Sequence, residues 1–268
     1  PPRSTPLYSS AASDVYKRQV ERPIAVVEAP VCVACLNCVR FCTFGAARID
    51  NELTGVGGIQ GAAVIDADTC TGCGLCAAAC PTGAIEMNIS THDSVIGTIH
   101  SLNTESVPEL NTEVAEDGPA EAPLSVMIFA CPQCRDTTHE VCDAKSGQVS
   151  ANVQTRVVDV PCSGRVDTLQ LMHAFESGAD AVMVAGCQPG ECFFNTGNLH
   201  VTQRVKRIAD WLDGCGLERD RVHMMHLTPG DHDGLTEALN DLTKKTGICG
   251  PSPLRRTASS ATLASTSG

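Results

Sequence analysis

The sequence predicts two successive modules of different class: a small α+β module organised by cysteine, then an α/β domain with an open parallel sheet. Three observations carry this reading. A cysteine run occurs twice in the first third of the chain, each copy followed by a similar short tail. An acidic stretch over 101–123, containing Pro108, Pro119 and Pro123, separates the repeat from the rest of the chain. Beyond it, short apolar runs alternate with amphipathic stretches, the pattern of strand and helix in turn.

At 268 residues the chain is long enough for two modest domains without covalent staples, so its 16 cysteines exceed what packing requires. Secreted disulfide scaffolds are shorter and follow a basic-then-apolar leader. No such segment opens this sequence, and the expected setting is a reducing cytoplasm. No apolar run approaches the roughly 18–20 residues that span a bilayer, so no direct membrane insertion is expected. A net charge of −12 argues against nucleic acid as a partner, because phosphate binding needs a basic face. The negative charge is unevenly spread: no Lys or Arg occurs between Ile49 and Cys134, while Asp50, Glu52, Asp66, Asp68 and Glu86 precede a denser acidic group in the linker. A solvated acidic surface accounts for the linker portion; elsewhere the same charge is suited to steering basic redox partners.

Residues 1–19 are expected to be a non-native or disordered leader. The segment Ser9 to Gln19 resembles translated adapter sequence, so the natural chain is expected to continue upstream. Residues 20–100 form the first module. Its runs are Cys32-x2-Cys35-x2-Cys38-x3-Cys42 and Cys70-x2-Cys73-x2-Cys76-x3-Cys80-Pro81, and the tails Phe44-Gly45-Ala46-Ala47 and Thr82-Gly83-Ala84-Ile85 correspond. With this spacing, three thiolates of one tight loop wrap three corners of an iron–sulfur cube, and in two-cluster ferredoxins the last cysteine of each run ligates the other cube. Cys32, Cys35, Cys38 and Cys80 are therefore expected to hold one [4Fe–4S] cluster, and Cys70, Cys73, Cys76 and Cys42 the other. Zinc or disulfides are the competing readings. Zinc knuckles pair C-x2-C units or add histidine, and a third cysteine two residues on, present in both runs, weighs against them.

Gly72 and Gly74 keep the second loop free of Cβ atoms, and Pro81 turns the chain at the fourth ligand. The first run has Thr43 where the second has Pro81, a change expected to affect solvent access or potential without removing a ligand. Gly55-Val56-Gly57-Gly58 lies between the runs, where a tight turn suffices, and is not a dinucleotide fingerprint. On these residues, 32–85 resembles the bacterial-type 2[4Fe–4S] ferredoxins. The adjoining segment Thr91-His92-Asp93-Ser94-Val95-Ile96-Gly97 resembles the short helix after the C-terminal ferredoxin domain in the iron–sulfur flavoprotein subunit of heterodisulfide reductase.

The second domain is expected over 124–246. Leu124–Ala130, 156–160, 181–185 and Val222–Leu227 read as buried strands, and 167–177, 198–213 and 230–246 as helices. Gly178 and Gly214 are positioned to end the first two helices in left-handed conformation. The Ser- and Thr-rich stretch 247–268 reads as a disordered tail. Cys131 and Cys134 follow the first strand, Cys162 the second, and Cys187 and Cys192 the third. Ends of parallel strands are where such sheets hold ligands, and thiolates gathered there select zinc or iron–sulfur. The plainer reading is a set of buried structural cysteines. Cys142, Cys215 and Cys249 stand outside these motifs and are read as packing or surface residues. Arg165 either raises the potential of a nearby cluster or grips an anionic partner group, or else is a loop arginine bonded to local carbonyls. The histidines, His223 and His226 among them, show no ligand spacing tied to the cysteines.

Pro161-Cys162-Ser163-Gly164-Arg165, Gly186-Cys187-x2-Gly190-x-Cys192 and Gly197-Asn198 occur in the order found in the delta subunit of methyl-viologen-reducing hydrogenase, which this domain resembles. The resemblance implies a [2Fe–2S] cluster on four of Cys131, Cys134, Cys162, Cys187 and Cys192, with the choice of four open. It also implies a place between a hydrogenase or other electron donor and heterodisulfide reductase-type subunits, and fused forms in that family have the order seen here. Phe193 stands where the family commonly has histidine, and Arg135-Asp136 where aromatic or small residues are frequent. Flavin is expected only in a missing upstream portion or a partner. The function expected is electron transfer between the [2Fe–2S] domain and the two cubes toward a flavin subunit, with no catalytic residue of its own. The alternative is a redox-sensing or zinc-stabilised scaffold.

Overall fold

A computed structural model describes residues 22–104, 123–143 and 153–255. In the first module strand β1 (Ala25–Val27) pairs antiparallel with β4 (Ile85–Met87), and β2 (Ala47–Thr54) pairs antiparallel with β3 (Gln60–Ile65). Helix α1 (Asn37–Phe41) carries Cys38 and α2 (Leu75–Ala78) carries Cys76, so each cysteine run winds into one short helix. Gly45 and Gly83 turn after the fourth cysteine of each run at φ +70° and +67°, so the sequence repeat is also a structural one. The core between the strands is built of Ala25, Ala46, Ala47, Ala62, Ala63, Ala84, Ile85 and Met87 with the cysteines themselves. So much alanine buries little apolar area, and the interior depends on what the cysteines hold.

The repeat differs at the cysteine loops. Gly72 and Gly74 take φ +77° and +72°, and the corresponding Ala34 and Leu36 take +49° and +66°. A side chain in this left-handed region costs roughly 1–2 kcal/mol. The second loop cannot accept one in any case. A Cβ on Gly72 would lie 2.2 Å from the Pro23 carbonyl oxygen, and one on Gly74 2.5 Å from Cδ of Arg165. Leu36, by contrast, is 41% exposed and has room.

Helix α3 (His92–Thr104) comes next, and its Val95 and Ile99 join the core of the second domain. That domain runs β5 (Leu124–Ala130), α4 (Pro132–Asp143), β6 (Val153–Asp159), α5 (Thr168–Glu176), β7 (Ala181–Cys187), α6 (Gly197–Gly214), β8 (Val222–Leu227) and α7 (His232–Cys249). Its sheet has the order β6-β5-β7-β8, parallel throughout. Every residue of β5 and β7 is buried, as central strands covered on both faces require. Met127 and Phe129 pack toward Val95, Ile99, Leu171, Phe175 and Ile208 on one face. Val126 and Ile128 pack toward Val141, Leu235, Leu239 and Leu242 on the other. The domain is thus a helix–sheet–helix sandwich of the α/β class.

Three expectations need correction. Helix α4 was not legible, because its buried face consists of Cys134, Thr137, Thr138 and Val141, small and partly polar residues without an apolar signature. Gly178 is left-handed at φ +103°, but α6 runs through Gly214 and the left-handed residue is Gly216 at +80°. The tail expected from 247 is ordered to 255. Helix α7 continues to Cys249, and the fully buried Asp180 carboxylate accepts from Ser125 N at 2.8 Å, Ser252 N at 2.7 Å and Arg255 Nη1 at 3.3 Å. Arg221 adds bonds to the carbonyls of Asp180 and Gly250. The expected leader over 1–19, linker residues 105–122 and tail residues 256–268 lie outside the described residues. No described helix is long and apolar enough to cross a membrane.

Candidate metal centres

Two cysteine sets face two cavities in the first module. Cys32, Cys35, Cys38 and Cys80 line one, with Ile49, Ala63 and Ile85. Cys42, Cys70, Cys73 and Cys76 line the other, with Ala46, Ile65 and Leu75. The fold therefore carries the last cysteine of each run to the first three of the other. Backbone N–H groups of Ala34 and Ala63 donate to Cys32 Sγ at 3.4 Å each. The glycine turn between the runs fixes the Cys32 backbone: Val56 N donates to the Cys32 carbonyl at 2.9 Å, and a Cβ on Gly55 would lie 2.3 Å from that oxygen. Burial, and then neighbouring thiols, push Cys76 up to about 12 and raise Cys73. Burial likewise raises Cys38, reinforced by Cys32, Cys35 and Cys80. Thiols packed this closely in apolar surroundings resist ionising together unless bound cations take the place of their protons. Closed, soft, all-sulfur donor sets of this kind fit four-iron clusters.

The second domain builds its site at the point where the chain reverses direction across the sheet. From β5 it goes outward to the edge strand β6 and returns to β7 on the other side of β5, which opens a crevice between the ends of β5 and β7. Cys131 directly follows β5 and Cys187 ends β7, and their sulfurs are 3.7 Å apart. Cys134 Sγ lies 3.6 Å from Cys131 Sγ, and these three sulfurs are all within 4.8 Å of one another. Cys162 follows β6, its sulfur accepting from Gly164 N at 3.3 Å. Cys192 lies against the start of α6. A hydrogen bond from the Cys162 thiol, with backbone N–H groups of Asn198, Phe194 and Gly197, brings Cys192 down to about 5. Hydrogen bonds from Cys134 and Cys187 bring Cys131 down to about 6, while burial pushes Cys187 up to about 12. Cys131, Cys162, Cys187 and Cys192 line a cleft of about 260 Å³, rimmed by Pro132, Pro161, Phe193 and Phe194.

Two glycines let these loops meet. A Cβ on Gly197 would lie 2.5 Å from Cys162 Sγ, and one on Gly164 2.7 Å from Gly197 Cα. Asn198, fully buried, donates Nδ2 to the carbonyls of Cys187 at 3.0 Å and Gln188 at 2.8 Å, fastening the loop between Cys187 and Cys192. The Gly-Asn pair is visible in the sequence; the role of each residue is not. Gly197→Ala is expected to displace Cys162 and to abolish metal retention at this site, as measured by metal analysis after anoxic reconstitution. Full retention would show the close approach to be dispensable.

The two modules meet at their cysteine loops. Cys73 packs against the core that contains Cys131, Cys134 and Cys162. Asn195 Nδ2 donates to Thr43 Oγ1 at 3.3 Å, and Phe41 meets His200 edge-on at 4.7 Å between ring centres. Arg165, 1% exposed, lies against Gly74 and pairs through Nη2 with Glu86 of β4 at 3.2 Å and through Nη1 with Asp167 at 3.3 Å. Arg165 therefore serves neither as a cluster or partner contact nor as a donor to local carbonyls, the two roles its sequence context suggests. The local carbonyls are instead taken by Arg204, which donates to those of Gly164 at 2.7 Å and Val166 at 2.9 Å. Cys142 and Cys249 are partly buried and Cys215 is exposed, away from the cavities. His226 Nδ1 stands 3.0 Å from the Cys187 carbonyl oxygen, a backbone contact.

The sequence profile of the methyl-viologen-reducing hydrogenase delta subunit matches residues 126–248. A 4Fe–4S dicluster profile matches 31–84, and a 4Fe–4S single-cluster profile 64–129. The iron–sulfur subunit of the F420-non-reducing hydrogenase vhu of Methanococcus voltae is 37% identical over 131 residues, which are 49% of this chain and 96% of that protein. The corresponding subunit of Methanocaldococcus jannaschii is 35% identical over 130 residues, 48% of this chain and 96% of that one. A subunit of the ferredoxin:CoB-CoM heterodisulfide reductase of Methanosarcina mazei is 28% identical over 227 residues, which are 85% of this chain but 26% of that protein.

Proposed function

The chain belongs to the family of methyl-viologen-reducing hydrogenase delta subunits, here preceded by a 4Fe–4S dicluster module, and on that premise we propose that it relays electrons between a hydrogenase-type donor and a heterodisulfide reductase-type flavin subunit. The observation that carries the proposal is the packing of the Cys73 loop against the cysteine core of the second domain. That contact makes the set of Cys42, Cys70, Cys73 and Cys76 the middle station. On this reading Cys32, Cys35, Cys38 and Cys80 hold the cube nearer the flavin side, and the strand-end cysteines hold a [2Fe–2S] cluster. Bound clusters supply one-electron chemistry. The chain supplies thiolate ligands, apolar walls such as Ile49, Ile65 and Leu75 that exclude water, and the backbone donors to Cys32 and Cys192. Flavin and the bond-making substrate belong to an upstream portion or a partner, and the thiolate chemistry suits a reducing, cytoplasmic setting.

Phe193, 70% exposed beside Cys192, marks the side from which the donor reaches the second-domain site in this reading. One observation favours the zinc-scaffold alternative: Cys131, Cys134 and Cys187 are close enough to share a single ion. Iron, acid-labile sulfide and zinc measured per chain after anoxic purification separate the two. The relay requires about ten irons and about ten sulfides, from two four-iron clusters and one two-iron cluster. About eight of each with one zinc would replace it by the scaffold.

A further inference from the structure

We infer that the [2Fe–2S] site of the second domain uses Cys131, Cys187, Cys162 and Cys192, with Cys131 and Cys187 on one iron and Cys162 and Cys192 on the other, and that Cys134 is not a ligand. The inference rests on the [2Fe–2S] reading proposed above and decides which thiol that reading leaves over. Two thiolates on one tetrahedral metal at about 2.3 Å stand about 3.7 Å apart. Cys131 and Cys187 have that separation, 3.7 Å, across the crevice between adjacent strands. Cys162 and Cys192 form the second close pair, each set by a glycine-containing loop and by N–H donors from the start of α6 or from Gly164. These four sulfurs, and not that of Cys134, line the cleft.

Cys134 satisfies the same distance to Cys131, so distance alone does not exclude it. Its position on α4 does. With Thr137, Thr138 and Val141 it forms the helix face that packs onto the sheet, at the three- and four-residue spacing of a buried stripe. It is 0% exposed, packed with Val126, Ile128, Leu235 and Leu239, and its thiol faces the Leu227 carbonyl at 3.8 Å. A cysteine in such a stripe acts as a small apolar residue. To reach the cleft as a ligand it would have to leave a closely packed interface, whereas the other four already border open volume.

The full chain and its single variants, reconstituted with ferrous iron and sulfide without oxygen, provide the test. Cys134→Ala and Cys134→Ser should both retain about ten irons and the visible circular dichroism of the two-iron cluster. Cys131→Ala, Cys162→Ala, Cys187→Ala and Cys192→Ala should each lose that spectrum and about two irons, leaving about eight. Far-ultraviolet circular dichroism checks that the helix–sheet sandwich persists in each. If both Cys134 variants lose the two-iron spectrum while remaining folded, or any one of the other four keeps it, the assignment is overturned. Zinc in place of the two-iron cluster in the unsubstituted chain overturns the underlying reading as well, so the two failures are told apart by the parent protein alone.

Discussion

Replacing Cys80 by alanine is expected to destroy or degrade the cube held by Cys32, Cys35 and Cys38 and to spare the one held by its own neighbours Cys70, Cys73 and Cys76. The geometry behind this is the pair of cavities, each lined by three cysteines of one run and the last of the other. Iron content alone does not say which cube was damaged, so the test combines variants. If Cys80 serves the first set, Cys35→Ala and Cys80→Ala strike the same cluster and the double variant loses little more than either single one. Cys73→Ala with Cys80→Ala then strikes two clusters, and their losses add, to as many as about eight irons. Uncrossed ligation reverses the two outcomes. Additivity of Cys35→Ala with Cys80→Ala, read from electron paramagnetic resonance of the reduced protein, would therefore sink the crossed assignment.

What could be read in advance was what is local. The cysteine runs announce themselves because cube ligation needs three thiolates in one tight loop, and β5 and β7 because central strands are continuous runs of Val, Met, Ile and Ala. Helix α4 escaped because its core face is cysteine and threonine. The second domain's C-terminal segment escaped because what anchors it, Asp180, lies 72 residues away from Ser252. The seam between the modules left no local trace at all, since Glu86 and Arg165 are 79 residues apart. Thr43 shows the difference well. The sequence marks it as a departure from the proline of the second run, and only the fold shows that its hydroxyl accepts from Asn195, a contact proline has no group to make. The same holds for Gly74, legible as a loop glycine, whose missing Cβ also admits the Arg165 side chain from the other module.

Arg165 carries the second large effect. Its guanidinium is 1% exposed and is the cation shared by Glu86 of the first module and Asp167 of the second. Removing one partner of a fully buried ion pair costs about 3–5 kcal/mol, because the remaining charge is left without compensation. Here the cost is smaller. The Glu86 side chain is 42% exposed and can regain water, and Asp167, 15% exposed, keeps its bonds to Gln170 N and His92. Arg165→Met should therefore destabilise by about 2–3 kcal/mol in anoxic denaturant unfolding. Arg165→Lys should recover only part of this, since an ammonium cannot bridge two carboxylates as the planar fork does. The loss should be felt at the seam first: amide exchange at Gly74 and Glu86 should rise before that of β5 and β7. In the background of Glu86→Gln the cost of Arg165→Met should shrink, because the pair is already broken. An Arg165→Met variant within about 0.5 kcal/mol of the parent, with unchanged exchange at Gly74, would mean that the modules are held together by the Thr43–Asn195 and Phe41–His200 contacts and that the ion pair is incidental.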